Sequence, residues 1–303
     1  YAEKGMGYQQ YIIDQFFNLT RQGLLQSPNA DLILWPESAF PDYLDPFAEN
    51  RKYPRQFRQF IKSIQKPILT GAYSKDAPGM IPRHDYNGIF LFNQNAELIP
   101  PVYHKTQLLI FGEYLPLVEQ LPILAKWNPG GTGFGRGPGP TVFNFTRQKQ
   151  NETLTETPTQ TENITETIKL GLQICYESLD PLFSTALSKK QAQILVNVTN
   201  DSWFGERFEP WQHLYMTLAR GLENRLPLIR ATNTGITTAI LADGTVLEHS
   251  PIYQQWAHSF DITYQTDHET TFYTRWANWL WLAVTLFIST CLLLDIIIKK
   301  RRH

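Results

Sequence analysis

Three residues of this 303-residue chain stand where a side chain is useful to chemistry. Cys175 closes the apolar run "LGLQI", Glu37 follows "LILWP" and Lys105 follows "PPVYH", so each ends a segment that reads as a strand. A thiol with a pKa near about 8.5 is only a few per cent thiolate at neutral pH, so a nucleophilic cysteine needs a base or a cation beside it. A carboxylate can take its proton, and a lysine can stabilise the oxyanion that forms on the attacked carbonyl. Each residue also has a plain structural explanation: Glu37 as a helix N-terminal acid, Lys105 as a solvated lysine, Cys175 as small core filler. The other of the two cysteines, Cys291, lies in a hydrophobic stretch near the C-terminus, which leaves Cys175 without an obvious disulfide partner. The seven histidines form no H-x-x-x-H pair and the cysteines no C-x-x-C pair, so neither a metal nor another cofactor is expected. The Gly/Pro-rich "WNPGGTGFGRGPGP" follows no strand-then-helix pattern and is not read as a phosphate loop.

The elements that must carry these residues alternate. "YQQYIIDQFFNLTRQGLL", residues 8–25, has apolar positions at helical spacing, and "DLILWPES" is a short strand closed by Pro36. "KPILTGAYS" and "YNGIFLFN" read as strands, the second bounded by Asn-Gly. Residues 168–177 and "QAQILVNVTND" repeat the pattern, each ending in polar or reactive residues. "EPWQHLYMTLARGLENRL" reads as a helix stopped by Pro227, and "TTAILADGTVLEHS" as a hairpin around Asp243-Gly244. Helices, strands and hairpins in this order predict an α/β layered sandwich. Residues 146–167, "TRQKQNETLTETPTQTENITET", are too polar to bury and read as a mobile surface loop between two strands.

Composition narrows the partners. With 42% hydrophobic and 18% charged residues the chain can bury a large core, and its net charge of −1 carries no footprint for nucleic acid. Residues 276–298, "WANWLWLAVTLFISTCLLLDIII", are apolar almost throughout and long enough to cross a bilayer, which needs about 20 helical residues. Trp276, Trp279 and Trp281 favour the interface at one end, and the basic tail 299–303 marks the other as cytoplasmic, putting the globular part outside. Asp295, four residues before Lys299, can pair with it or snorkel. The chain begins at Tyr1 with no signal peptide ahead of a domain that reads as exported, as a piece of a longer membrane protein would.

The contexts "WPES", "YHKTQLLIFGEYLP" and "ICYE" resemble, in order, the Glu, Lys and Cys motifs of the nitrilase superfamily. "YHKTQLLIFGEYLP", "NDSWFGERFEPWQH", "RATNTGITTAI" and the closing apolar helix resemble the apolipoprotein N-acyltransferases of Gram-negative bacteria over nearly the whole chain, apart from the Thr-rich segment. The resemblance implies a nitrilase-like αββα four-layer sandwich over residues 1–270 followed by one transmembrane helix. Full-length members carry further transmembrane helices before this domain and a first strand that enters its sheet; neither is present here, and a missing strand leaves an unpaired edge. It also implies Glu37 as general base, Lys105 as oxyanion-stabilising cation and Cys175 as nucleophile, with Glu113, Tyr176 and Glu177 in support and Trp203 and Tyr114 on the substrate. Glu113 would hold Lys105 charged and oriented, and the Tyr176 amide, next to the nucleophile, is a natural second oxyanion donor.

The implied reaction passes an acyl chain from a phospholipid, typically phosphatidylethanolamine, through a thioester on Cys175. Its acceptor is the amine of a diacylglyceryl-cysteine at an apolipoprotein N-terminus, in a bacterial inner membrane with the domain facing the periplasm. Drawing roughly 15 methylenes into water would cost about 12 kcal/mol at ~0.8 kcal/mol each, so such a site must meet the lipid bilayer. Residues 111–127, with Leu115, Leu117, Leu121, Ile123 and Leu124, are a candidate apolar lip, or an ordinary buried lid. Two other readings stand beside this one: a membrane-anchored nitrilase-type amidase acting on a small amide, and a non-catalytic domain that keeps the sandwich alone.

Overall fold

The computed structural model describes residues 8–80, 83–115, 121, 123, 133–150, 163–203 and 205–302. Helix α1 (Gln9–Gln26) buries Ile13, Phe17 and Thr20 at the spacing of one face. It is followed by the two-residue strand β1 (Ile33–Leu34), β2 (Phe40–Tyr43) and helix α2 (Lys52–Ile64). α2 buries Phe57, Phe60 and Ile61, and ends where Gln65 turns left-handed. Strands β3 (Ile68–Lys75), β4 (Asp85–Phe92) and β5 (Leu98–His104) then form antiparallel neighbours, with β1 and β2 both parallel to β3.

The second half repeats the plan. Strands β6 (Val142–Gln150), β7 (Asn163–Ile174), β8 (Ile194–Thr199), β9 (Leu228–Thr232) and β10 (Thr238–Ile240) make a sheet in the order β10-β9-β8-β7-β6, parallel at its centre and antiparallel at its edges. Helix α3 (Pro181–Lys189) starts on Asp180, whose carboxylate accepts from the Leu182 N–H at 2.9 Å, with Pro181 in the first turn. Helix α4 (Glu209–Asn224) ends at the left-handed Arg225, two residues before Pro227.

Alternation along the strands explains the layers. In β4, Ile89 and Leu91 join the core shared with the second sheet, whereas Phe90 and Phe92 join the cluster under α1 and α2 with Phe17, Trp35, Phe57 and Phe60. Both faces of the sheet are therefore covered. In β7, Ile168, Leu170, Leu172 and Ile174 face the common core, and Gln173 on the opposite face donates to Ser184 of α3 at 2.7 Å. The order is helices, sheet, sheet, helices: the four-layer sandwich expected.

Three expectations are corrected. The polar segment 146–167 is not a loop from end to end: β6 and β7 run into it, pairing Thr146 with Thr167, Arg147 with Glu166 and Gln150 with Asn163. Threonine and isoleucine suit a two-stranded ribbon whose ladder satisfies the backbone without burial, and the Arg147 Nε donates across it to Glu166 at 2.9 Å. Residues 151–162 lie outside the described residues. Asn87-Gly88, expected to bound a strand, lies inside β4. The hairpin around Asp243-Gly244 keeps its turn, but its second arm makes only an isolated bridge, Ile240 to Val246.

Helix α5 (Phe272–Arg302) contains Trp279–Lys300, a stretch of mean hydropathy 2.3 that is long and apolar enough to cross a membrane and has none of its side chains buried in the protein. The Asp295–Lys299 pair forms within it at 2.8 Å. Its root is fastened to the domain: the Thr271 hydroxyl donates to the Glu223 carbonyl at 2.7 Å and that of Thr274 to Asn224 Oδ1 at 2.9 Å, both at the end of α4.

Glycine is required at one place next to Glu37. A Cβ on Gly71 of β3 would lie 2.6 Å from the Glu37 Cα and 2.7 Å from the Pro36 carbonyl oxygen, and the Gly71 N–H donates to that same oxygen. Gly71→Ala should destabilise the domain by about 1–3 kcal/mol through this clash, read as a lowered urea midpoint at unchanged slope.

Candidate active site

Glu37, Lys105, Glu113 and Asn87 meet in one buried cluster. Glu37 stands in the turn after β1, and the next residue, Ser38, is left-handed with φ 50°. The Asn233 amide, in the turn after β9, donates to the Glu37 carbonyl at 2.6 Å and ties this turn to the second sheet. Lys105 follows β5, its N–H held by the Asn87 carbonyl at 2.8 Å and its own carbonyl by the Gly137 N–H at 2.9 Å. Its ammonium donates to Glu113 at 2.9 Å and to Glu37 Oε1 at 3.3 Å. Asn87 Nδ2 bridges the same two carboxylates at 2.6 and 3.1 Å, and the Leu109 N–H holds the other oxygen of Glu113 at 2.9 Å.

Cys175 is 5% exposed and sits at the end of β7 with φ 54°, a conformation uncommon for any residue but glycine. Its carbonyl accepts from Ser178 Oγ at 2.9 Å and Asn197 Nδ2 at 3.2 Å. The turn is also held by Glu177, which is fully buried. One Glu177 oxygen accepts from the Tyr103 hydroxyl at 2.6 Å and the Ile174 N–H at 2.7 Å, the other from the N–H groups of Thr106 and Gln107 at 2.6 and 3.1 Å. One carboxylate therefore clamps the end of β5, where Lys105 sits, to the end of β7, where Cys175 sits.

Burial and charge set the protonation states. Burial pushes the Glu37 carboxyl up and Glu113 adds to the push, against the pull of Lys105 and Asn87. Burial alone would lower Lys105, but Glu37, Cys175 and Glu113 together hold it well above the usual lysine range, as a permanent cation. Burial and the Glu37 charge push the Cys175 thiol up to about 12, opposed by Lys105 and by a hydrogen bond with the Thr199 side chain. Burial raises Glu177 to about 7 against the Tyr103, Ile174 and Thr106 donors and the Lys105 charge. The arrangement is thus a protonated thiol, a carboxyl group with raised proton affinity and an ammonium, which suits proton removal during attack and stabilisation of an oxyanion.

Of the residues singled out in the sequence, Glu37, Lys105, Glu113, Cys175 and Glu177 converge through these contacts and charges. Tyr176 turns its ring away, stacked on His213 of α4 at 5.0 Å with its hydroxyl 3.5 Å from Glu209. Tyr114 carries the Arg136 guanidinium over its ring at 4.6 Å, and Trp203, on the loop after β8, is 55% exposed. Most of the apolar lip at 111–127 lies outside the described residues; within them Phe111, Leu121 and Ile123 are exposed. Sequence reasoning missed Asn87, whose signal was a polar residue inside an apolar strand. It also missed the buried set of Asn197, Thr199, Asp201, His213 and Arg230. Asp201, Glu209 and His213 bring ligand-type atoms within 4.8 Å of one another. Within that cluster Arg230 supplies positive charge to Asp201 at 2.8 Å and His213 reaches Asp201 directly at 2.9 Å.

A buried thiol on a strained strand end, faced by a carboxylate and an ammonium within a helix-sheet-sheet-helix sandwich, defines a nitrilase-type fold and site. The chain belongs to the carbon-nitrogen hydrolase family, whose model it matches over residues 15–264. Solved structures of the same fold include a carbon-nitrogen hydrolase from Helicobacter pylori G27, with TM-score 0.55 and 17% identity over 82% of this chain and 83% of that one. Another is an amidase from Nesterenkonia sp. AN1 bearing a covalent acetamide addition at its active-site cysteine, with TM-score 0.54 and 17% identity over 80% and 81%.

Within the family the chain is similar to apolipoprotein N-acyltransferases. It is 43% identical over 292 residues to that of Bdellovibrio bacteriovorus, covering 95% of this chain and 50% of the relative. It is 29% identical over 274 residues to that of Geobacter metallireducens, covering 89% and 47%. The chain thus spans about half the length of the curated relatives it matches.

Two outcomes follow from the geometry. With its thiol raised to about 12, Cys175 should react with iodoacetamide at pH 8 at least about 100-fold more slowly than a free thiol, and its rate should still be climbing at pH 10; this is checked by peptide mass analysis of timed samples. Glu177→Gln sets an amide N–H against two of the four donors and should cost about 3 kcal/mol of stability, read by urea unfolding.

Proposed function

We propose that residues 1–270 form the catalytic domain of a lipoprotein N-acyltransferase, with Cys175 as nucleophile, Glu37 as general base and Lys105 as oxyanion-stabilising cation. The observation that carries the reading is the convergence of those three groups in one buried cluster, on a chain 43% identical to a protein named apolipoprotein N-acyltransferase.

In the first half-reaction the Cys175 thiol gives its proton to Glu37 as Sγ bonds to the ester carbonyl carbon of a phospholipid. The tetrahedral oxyanion is met by the Lys105 ammonium and the Tyr176 amide N–H. The C–O bond then breaks, the lysophospholipid oxygen takes the proton from Glu37, and the acyl chain stays on sulfur as a thioester. In the second half the α-amine of a diacylglyceryl-cysteine attacks that thioester carbonyl and Glu37 takes the amine's proton. Glu37 returns it to the departing sulfur, which leaves an N-acylated product and a free thiol. A raised Glu37 pKa favours both transfers, since a stronger base shares the proton better. Glu113 fixes the ammonium, Glu177 fixes the two strand ends, and Trp203 and Tyr114 contribute to the acyl-chain path.

The location supported is a bacterial inner membrane, with α5 as the span, its basic end in the cytoplasm and the domain in the periplasm. Exposed Ile110, Phe111, Leu121 and Ile123 support an apolar rim that meets the bilayer, where a long-chain donor such as phosphatidylethanolamine resides.

The test is intact mass of the full-length parent protein after incubation with phosphatidylethanolamine vesicles and no acceptor, beside its Cys175→Ser variant. One added acyl group on the parent alone, removed by hydroxylamine or by a diacylated peptide with a free N-terminus, is the expected result. Failure to form the adduct under conditions where a small amide is hydrolysed would replace this reading with a membrane-anchored amidase.

A further inference from the structure

On the face of the second sheet that meets α3 and α4, three neighbouring strands place polar residues at one level: Gln173 of β7 pairs with Asn197 of β8, and Asn197 with Arg230 of β9. The Arg230 side chain is fully buried there. One of its terminal nitrogens donates to Asn197 Oδ1 at 2.7 Å and to Thr217 Oγ1 of α4 at 3.2 Å, and the other to Asp201 Oδ2 at 2.8 Å. A guanidinium carries donors and no acceptor, so it fixes which way each partner faces. Asn197 turns its oxygen to Arg230, and its amide nitrogen donates to the Cys175 carbonyl at 3.2 Å. Ser178 gives its one hydroxyl proton to that same carbonyl at 2.9 Å. The 2.8 Å contact between Ser178 and Thr217 is therefore donated by Thr217, whose oxygen accepts from Arg230.

Two relays thus leave a single guanidinium nitrogen and end on one oxygen, the carbonyl of the peptide that joins Cys175 to Tyr176. A trans peptide is planar, with its N–H opposed to its C=O. Holding the Cys175 carbonyl therefore also sets the direction of the Tyr176 N–H at the other end of the same plane. The hold is needed, because Cys175 is left-handed at φ 54°, where a residue with a side chain persists only if its surroundings impose it. Hydrogen-bond chains also polarise one another, and donors on a carbonyl make the N–H of the same peptide a stronger donor. Asp201 is the counter-charge that lets the guanidinium lie this deep.

We propose that Arg230 is a positioning residue for the oxyanion site: through Asn197 on one side, and Thr217 and Ser178 on the other, it locks and polarises the 175–176 peptide so that the Tyr176 N–H is aimed at the oxyanion. The proposal rests on the reading above, with Cys175 as nucleophile and that N–H as an oxyanion donor. As Sγ bonds to the substrate carbonyl carbon, the thiol proton passes to Glu37 and the carbonyl π pair moves onto oxygen, where the Lys105 ammonium and the N–H receive it. No proton leaves Arg230, Asn197 or Tyr176.

Two reactions of Cys175 in the full-length protein separate this role from a merely structural one. p-Nitrophenyl butyrate acylates the sulfur through a tetrahedral oxyanion and releases a burst of p-nitrophenolate, whereas iodoacetamide alkylates it with loss of iodide and no oxyanion. Ser178→Ala removes the last donor of one relay; its burst rate at saturating ester should fall about 10-fold, with the half-saturating concentration and the alkylation rate within about 2-fold of wild type. Thr217→Val should slow the burst alone and add nothing in the Ser178→Ala background, because it acts through that hydroxyl. Thr217→Ser keeps the hydroxyl and should restore the burst to within about 3-fold. Arg230→Lys keeps the charge without the planar fork that serves both relays, and its burst should fall about 100-fold. If Arg230→Lys does not fold, the Ser178 and Thr217 variants decide. Wild-type bursts in Ser178→Ala and Thr217→Val, or in a folded Arg230→Lys, overturn the proposal while leaving Cys175 as nucleophile. Equal slowing of burst and alkylation overturns it in favour of a displaced thiol, and additive effects of Ser178→Ala and Thr217→Val overturn the relay. A wild-type protein with no burst over Cys175→Ser removes the nucleophile itself, and the function above falls with it.

Discussion

A lysine ammonium that is 2% exposed sets the terms for everything around it. An isolated charge at that depth would cost several kcal/mol, so the chain must deliver negative partners to it, and it delivers two, Glu37 and Glu113, with Asn87 joining them. Burial first, and the neighbouring Glu37 second, outweigh the ammonium's pull and keep the thiol beside them protonated at rest. A thiol buried to this depth ionises only when its proton has somewhere to go. The site is a resting state built to be one proton transfer away from reaction.

Delivering those partners is a matter of backbone. Glu37 and Lys105 come from opposite ends of the first sheet's order, and Cys175 comes from the second sheet. Side-chain clamps set the distance between the sheets at this end. Asn233 reaches across to the Glu37 carbonyl, and Glu177 reaches across to Tyr103, Thr106 and Gln107. The apolar core between the sheets supplies adhesion without direction, as hydrophobic contact does, and the directional bonds at the rim convert it into a fixed geometry.

What the sequence disclosed divides along the same line. Glu37, Lys105 and Cys175 were legible because each follows an apolar run whose period announces a strand, and the apolar helix was legible from length alone. Arg230 was not, because alone between "LI" and "AT" it reads as a solvated arginine. The partners that bury it, Asn197 and Asp201, are 33 and 29 residues away and meet it only through parallel strand pairing. Asn87 was mistaken for a turn residue since Asn-Gly is a strong local turn signal, yet here tertiary pairing with β3 and β5 overrides it. The polar ribbon of β6 and β7 was misjudged for a related reason: composition measures what a segment can bury, while a ladder satisfies its backbone without burying anything.

The fastening of Thr271 and Thr274 to the end of α4 makes that helix a shared member. Its first turn, at Glu209 and His213, supports the Tyr176 ring next to Cys175, and its last turn, about 24 Å away at 1.5 Å per residue, holds the root of α5. With α5 in a bilayer, the domain is mounted on a stiff post instead of hanging from a flexible leash. The height of the cysteine above the lipid is then a built-in length, and the volume of membrane surface the site can sweep is small.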